Sequence, residues 1–493
     1  MAYIPLQIPP GVYRNGTELQ ASGRWFDANL VRWKEGAIRP VGGWRKRSEN
    51  TVTGVARGII TWRTNDAERF IGIGTHSGLF ASNSAGAIKD ITPAGFVSGY
   101  ADAVVKLGYG YGPYGSFAYG IARPDLGDVI PATTWALDTW GEYLIGCSNA
   151  DGKIYEWQID FSTPTVAAQL ANSPVDCLSV LVTAERFVFA LGAGGNPRKV
   201  AWCDQENNTS WAPLTTNQAG DYEIATPGKL MAGKRVRGVN LLFTDTDVHQ
   251  SQYIGQPFVY NFEKIGSGCG LISQQAVAAV DTMAIWMSRS GFWMFDGYVK
   301  PLQSDVGDYV FRNLNMTQSS KIYAVHNSAF REIWWYYPSS DSNELDSYVS
   351  FNYQEGHWSI GSLARTCGTD AGVFANPLLV GADGYIYEHE VGFNFDGAVQ
   401  YAESGPIQIG IGDNLMSARQ LVPDELTQGE VTMTFKTKFY PNGEESSFGP
   451  YTMSNPTDVR FTARQVKMKI ESSGNDSWRV GVPRLEAVSG GKR

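Results

Sequence analysis

Alternation of apolar and polar positions repeats one unit along most of this chain: an apolar strand, a turn of Gly, Asp, Asn or Ser, and a second strand with an aromatic near its start. The unit is found in RFIGIGTHSGLFAS from Arg69, EYLIGCSNADGKIYEW from Glu142, RFVFALGAGGNPRKVAW from Arg186 and LLFTDTDVHQSQYIGQPFVYNF from Leu241. It continues in MAIWMSRSGFWMFDG from Met283, EIWWYYPSSDSNELDSYVSFNY from Glu332 and PLLVGADGYIYEHE from Pro377. Two of these nearly coincide, Asp151-Gly152-Lys153-Ile154-Tyr155-Glu156 and Asp383-Gly384-Tyr385-Ile386-Tyr387-Glu388. Asp-Gly suits a tight hairpin turn, because glycine takes positive φ without a steric penalty. Helical periodicity is nearly absent; SQQAVAAV from Ser273 is the one short helix candidate and reads equally well as an inner strand.

Successive hairpins are mostly separated by roughly 35 to 60 residues, the length of a four-stranded propeller blade. The expected fold class is all-β, a β-propeller of about seven blades, with six to eight compatible with the spacing, over residues 51–396. A sandwich of unrelated hairpins competes, but regular recurrence over such a length favours the propeller. Ring closure needs a strand from one end to join the blade at the other. LVRWKEGAIRPVGGWRKR, Leu30 to Arg47, is the candidate, beside the last blade near Phe374 to Glu388, and residues 1–50 are read as an extended closing segment. After about Asp396 the strands lengthen and carry charge on one face, as in EVTMTFKTKFY from Glu430 and DVRFTARQVKMKIES from Asp458. Residues 397–493 are therefore expected to form a C-terminal antiparallel sheet or sandwich.

One segment breaks the pattern. KLGYGYGPYGSFAYG, from Lys106, sits in an insertion of about 98–132 that stretches the first repeat spacing, Gly78 to Gly152, to 74 residues. A loop of that length inside a compact fold is usually functional or disordered. Tyr109, Tyr111, Tyr114, Phe117 and Tyr119 are expected to dock on a neighbouring subunit or ring, since tyrosine offers large contact area at low entropic cost. A low-complexity loop without a partner is the plain alternative.

Composition supports a folded body: apolar residues make up 43% and charged residues only 18%. The net charge of -9 is unevenly placed, because residues 1–50 hold eight basic and four acidic side chains, leaving -13 for the rest. An acidic body is a poor grip for nucleic acid, whose affinity comes from neutralising phosphates. The five cysteines are widely spaced and contain no CxxC pair, which favours reduced thiols made in a cytoplasm over a zinc site or disulfide framework. No signal peptide and no apolar run long enough to span a membrane is read.

The search for chemistry is unproductive. None of the five histidines is paired with another ligand type at metal-binding spacing. There is no GxSxG elbow, and LGAGGN and GSGCG read as turns. SNADGKIYEW, from Ser148, only loosely resembles the Asp-box turn of sialidase-like propellers, and its spacing departs from that pattern. Glu388 and Glu390 around His389 are taken as a solvated strand edge. The basic runs WRKR, Trp44 to Arg47, and GKRVRG, Gly233 to Gly238, are expected to pair with acids on a neighbouring subunit or to face solvent, with Arg45, Lys46 and Arg47 assigned to an inter-subunit or adaptor contact. No catalytic, cofactor-binding or metal residue is assigned, and the chain is read as a non-enzyme.

The amino-terminal phrase PPGVYRNGTELQASGRWFDANLVRWKEGAIRPVGGWRKR, Pro9 to Arg47, resembles the opening of a group of tailed-bacteriophage tail proteins. The match rests on Gly11, Arg14 to Thr17, Gly23 to Trp25, Leu30 to Trp33, Gly36, Pro40 and Gly42 to Trp44. The wider plan resembles the tail nozzle of short-tailed phages, also called the tail tubular protein B or packaged-DNA stabilisation class. That resemblance implies a structural virion protein, assembled in the host cytoplasm as a homohexameric ring below the portal and adaptor. Through such a ring double-stranded DNA is retained and then ejected without sequence-specific binding, and no small-molecule substrate or cofactor is implied. The lumen is expected to be acidic, so that DNA slides. The alternatives are a glycan-binding or glycan-cleaving propeller for host-surface recognition, and a hub or distal tail protein of a long-tailed phage.

Overall fold

The strands of the structure, a computed structural model, follow the hairpins closely. Residues 2–105, 129–161, 165–280, 282–407, 414–427 and 429–491 are described. Among them the chain is almost wholly β, built from many small antiparallel sheets, with one short α-helix, Gly307–Arg312.

Seven four-stranded sheets succeed one another along the chain, and each predicted hairpin supplies the second and third strands of one of them. Their first strands are Ala56–Arg63, Trp135–Trp140, Ser179–Val182, Leu230–Val236, Val277–Val280, Tyr323–Asn327 and Arg365–Thr369. Each first strand lies beside that of the next sheet, and Arg365–Thr369 returns beside Ala56–Arg63, so the succession closes on itself. Because each sheet is covered by a neighbour on both faces, its middle strands are largely buried, and Glu332–Tyr337 and Val188–Leu191 are buried at every position. That is why these strands read as continuous apolar runs rather than as alternations. SQQAVAAV becomes the first strand Val277–Val280, not a helix.

The twin Asp-Gly turns repeat in three dimensions. Gly152 and Gly384 take φ of 65° and 80°. In each turn the tyrosine four residues beyond the aspartate donates its hydroxyl back to it, Tyr155 to Asp151 and Tyr387 to Asp383, the latter at 2.6 Å.

The amino-terminal phrase is divided among several sheets. Only Trp44–Lys46 pairs as a fourth strand with Ile386–His389 in the seventh sheet. Val31–Lys34 and Ala37–Pro40 pair with each other. Ala2–Pro5 pairs with Arg484–Ser489, and Trp25–Asn29 with Gln400–Ser404. The carboxy-terminal sheets are therefore not made from residues 397–493 alone, since each takes one strand from the first 29 residues. Within them the sequence alternation is kept: along Thr432–Lys438 the residues Met433, Phe435 and Thr437 point inward. One apolar cluster runs from Met433, Phe435 and Trp478 through Trp25 and Trp33 to Trp335 and Trp358 of the sixth sheet, joining the terminal sheets to the ring.

Gly42 and Gly43 are fixed by close approach of backbone to backbone. A Cβ on Gly42 would lie 2.4 Å from the Cα of Glu390, and one on Gly43 would lie 2.5 Å from the amide nitrogen of Asn394. The Gly-Gly-Trp phrase is thus what lets Trp44 enter the seventh sheet.

Candidate functional site

The first strands of all seven sheets wall a cavity of about 400 Å³ on the axis of the ring. Each is hydrogen-bonded to a strand of its own sheet on one side only, so its other edge faces the axis. Asp138, Lys234, Arg235, Gln274, Gln275, His326 and Asp370 are the polar side chains that bring chemistry to this space.

All but Lys234 fall into three groups. Asp138 accepts from the backbone N–H groups of Val182 and Thr139 at 2.8 Å each, and from Arg235 at 3.2 Å. Across sheets six and seven, His326 Nδ1 lies 2.9 Å from Asp370 Oδ2, and its Nε2 lies 3.1 Å from the Tyr353 hydroxyl. With Nδ1–H donating to the carboxylate, Nε2 accepts from tyrosine. Asp370 also accepts from Ser328 N–H and Oγ–H at 3.2 Å each and from Ala371 N–H at 2.7 Å. Gln274 and Gln275 tie the strands to one another, Gln275 Nε2 donating to Trp135 O at 2.8 Å and Gln274 Nε2 to Leu178 O at 2.8 Å. Cys367 also lines the cavity, but burial pushes its thiol up to about 12, so it offers no thiolate. Among the described residues no group of three or more His, Cys, Asp or Glu side chains is placed to hold a metal ion, and all five cysteines are free.

A second polar cluster lies in the seam between the amino-terminal phrase and sheets six and seven. Arg32, almost fully buried, donates to Glu332 at 3.0 Å and to both oxygens of Glu390 at 2.5 and 2.9 Å, with its guanidinium 3.6 Å from the centre of the Phe330 ring. Glu390 also accepts from Gly42 N–H at 2.9 Å and Asn327 at 2.8 Å. Glu388 is buried and pairs with Arg45 at 2.7 Å and with Arg47. Burial works against its charge, but the hydrogen bonds from Arg45 and Arg47 outweigh that and hold the carboxyl below its ordinary value. His389 is buried too, and accepts at Nε2 from Arg365 Nε at 2.9 Å. Burial, with the Arg365 charge beside it, depresses its pKa well below the ordinary value, so it is neutral.

These positions correct one expectation. Glu388, His389 and Glu390 are not a solvated edge; sheet seven is covered here by the amino-terminal segment, which brings the matching cations. Arg45 and Arg47 pair with Glu388 and Lys46 lies 3.8 Å over the Tyr385 ring, while the side chains of Arg45 and Lys46 stay more than half exposed. In GKRVRG, Arg235 of sheet four pairs with Asp138 of sheet two and Lys234 lines the cavity. Asp138, His326 and Asp370 were not singled out, because each is a lone polar residue far in sequence from its partners; only the ring brings them together.

Tyr109, Tyr111, Tyr114, Phe117 and Tyr119 lie outside the described residues. The flanks of their insertion are held firmly. Val104–Val105 pairs with Val129–Ile130, and Gln318 bonds both the N–H and the C=O of Ala103 at 2.8 and 3.0 Å. Ser320 accepts from Ala132 N–H at 3.1 Å, and the fully buried Lys321 reaches Asp102 and Asn343 O at 2.5 Å each.

No family model and no curated protein matches the sequence. Solved structures similar to the chain include the CNH domain of AfRom2, at 10% identity and TM-score 0.33, covering 55% of this chain and 89% of that one. An exo-beta-1,3-galactanase from Phanerochaete chrysosporium, in complex with galactose, has 10% identity and TM-score 0.29 over 91% of this chain and 100% of that one. Kluyveromyces lactis Hsv2p has 9% identity and TM-score 0.32 over 72% and 94%. Likenesses this weak carry no argument about function.

Proposed function

We propose that this chain is a structural subunit of a phage tail nozzle, a seven-bladed propeller with a terminal β-sandwich that joins its copies into a ring around passing DNA. The closed succession of seven sheets, completed by Trp44–Lys46, supports the propeller. The observation that carries the functional reading is where the phage-like phrase lies. Pro9 to Arg47 gives Trp25–Asn29 to one terminal sheet and Trp44–Lys46 to the last blade, and buries Trp25, Arg32, Trp33 and Trp44 between them. The resemblance therefore falls on residues that hold the architecture together, as expected of a structural family. An acidic body suits a conduit that lets DNA slide, and the insertion carrying Tyr109 to Tyr119 serves as a docking loop for the neighbouring ring.

The rival reading is a glycan-binding or glycan-cleaving propeller, the activity named for the galactanase. Glycoside cleavage needs two carboxylates with room for sugar between them, one of them holding a proton. The two carboxylates at the cavity, Asp138 and Asp370, are each occupied by several donors, including Arg235 and His326. That occupancy favours the structural reading.

Electron microscopy of the purified chain and of the native particle separates the two. A six-fold ring at the tail, with an acidic lumen, is expected. A monomer that releases sugar from galactan, a three-fold projecting spike or a lysine-rich lumen counts against the nozzle. Deleting Tyr109 to Tyr119 should leave the monomer's melting temperature unchanged, since the flanks are anchored, while weakening ring-to-ring assembly; unfolding of the monomer would show the segment to be core.

A further inference from the structure

We propose that the axial cavity of each subunit is a binding site for a small oxyanion, a carboxylate or phosphate group, held by the ammonium of Lys234. Buried charges are ordinarily matched, and the lysines of this protein's interior are. Lys321 is held by Asp102 and Asn343, and Lys467 by Glu445 at 2.7 Å and Glu403 at 3.3 Å. At the cavity the exposed Arg235 has Asp138.

Lys234 has no such partner. It is half-buried, projects from the first strand of sheet four into the cavity, and makes no ion pair or hydrogen bond with any described residue. Asp138 lies near enough to favour its charge, but that carboxylate is already taken by two backbone N–H groups and Arg235. Burial is the largest influence on the ammonium and lowers its pKa, with Arg235 acting in the same sense. The charge is thus partly desolvated, repelled by one neighbour and without an ion-pair partner.

An oxyanion supplies what is missing. The axis-facing edges of the first strands carry backbone N–H groups with no strand partner, which complete the shell of an anion that Lys234 attracts. A cavity of about 400 Å³ falls within the usual range of small-molecule sites and admits a phosphate or a short dicarboxylate, not a polymer. The site lies inside one subunit, so it stands whether or not copies of the chain assemble.

The test uses the full chain, in thermal melts and isothermal titration with inorganic phosphate and, separately, succinate, against chloride at equal ionic strength. Wild type should melt higher in at least one oxyanion than in chloride, and the responding arm identifies which group the site takes. Lys234→Met should bind that oxyanion at least about tenfold more weakly, while Lys234→Arg keeps most of the response. In chloride, Lys234→Met should melt at or above wild type, because it removes an unmatched charge and keeps the aliphatic stem. The proposal is overturned by a wild type that responds to neither oxyanion, or by a Lys234→Met chain that responds as wild type does. A Lys234→Met chain that melts well below wild type in chloride also overturns it, since the ammonium would then already have a partner.

Discussion

Arg32 is the residue on which the seam turns. It brings one positive charge to Glu332 and Glu390, and Glu332 is further fixed by the Trp334 indole N–H at 3.0 Å. Substituting Arg32→Met leaves the Glu332 carboxylate buried without a cation, which should cost about 3–5 kcal/mol in urea unfolding. Adding Glu332→Gln to that variant should recover part of the loss, and a lone Arg32→Met indistinguishable from wild type would show that the pair contributes nothing. Arg32 was legible as part of the amino-terminal phrase, yet its role was not. In a strand reading Leu-Val-Arg-Trp, an arginine looks like the exposed member of the alternation, and its acids lie some 300 residues away at 332 and 390.

At the scale of elements, the amino-terminal strands are covers as much as closures. Removing residues 1–47 would strip the fourth strand from sheet seven, expose the Ile386–His389 edge and take one strand from each terminal sheet. Bare edges of this kind pair with other chains. The truncated protein should collect in the insoluble fraction, while the intact chain stays soluble; a soluble truncated chain with unchanged circular dichroism would mean the covers are dispensable. The seven hairpins were legible because a tight turn and its two flanking strands are local. The first strand of each sheet was harder to see, since its apolar residues are short runs such as Ser179–Val182, bounded by loops of varied length.

For the whole molecule, stability should depend on acid in two stages. His76, His249, His357 and His389 are all held below the ordinary histidine value, in each case first by burial. Such groups take up protons more readily when unfolded, so the stability they lend is present above the unfolded value of about 6.5 and is lost as pH falls through their folded values. Glu344, Glu388 and Glu445 are also depressed: burial opposes their charge, but hydrogen bonds from Arg57, from Arg45 and Arg47, and from Lys467 prevail. Their contribution is lost below about 4.5. Melting temperature should be flat from about pH 8 to 7, decline below about 6.5 and fall more steeply below about 4.5. No decline between pH 7 and 5 would mean that the histidines titrate as if exposed.

The amino-acid sequence alone determined the all-β class, the number and place of the recurring hairpins, the twin Asp-Gly turns and the change of pattern after about Asp396. The hairpins rest on short apolar runs and turn chemistry, and the change after Asp396 on period-two alternation, all of which act over a few residues. Tertiary structure decided the rest. It sent strands from residues 2–29 into the carboxy-terminal sheets, buried Glu388 and His389 and half-buried Glu390 beneath the amino-terminal phrase, and set Lys234, Asp138, His326 and Asp370 around one cavity. The reason is physical: whether a charged residue is solvated or buried, and whether it finds a partner, depends on which distant strand covers it, and local pattern carries no record of that.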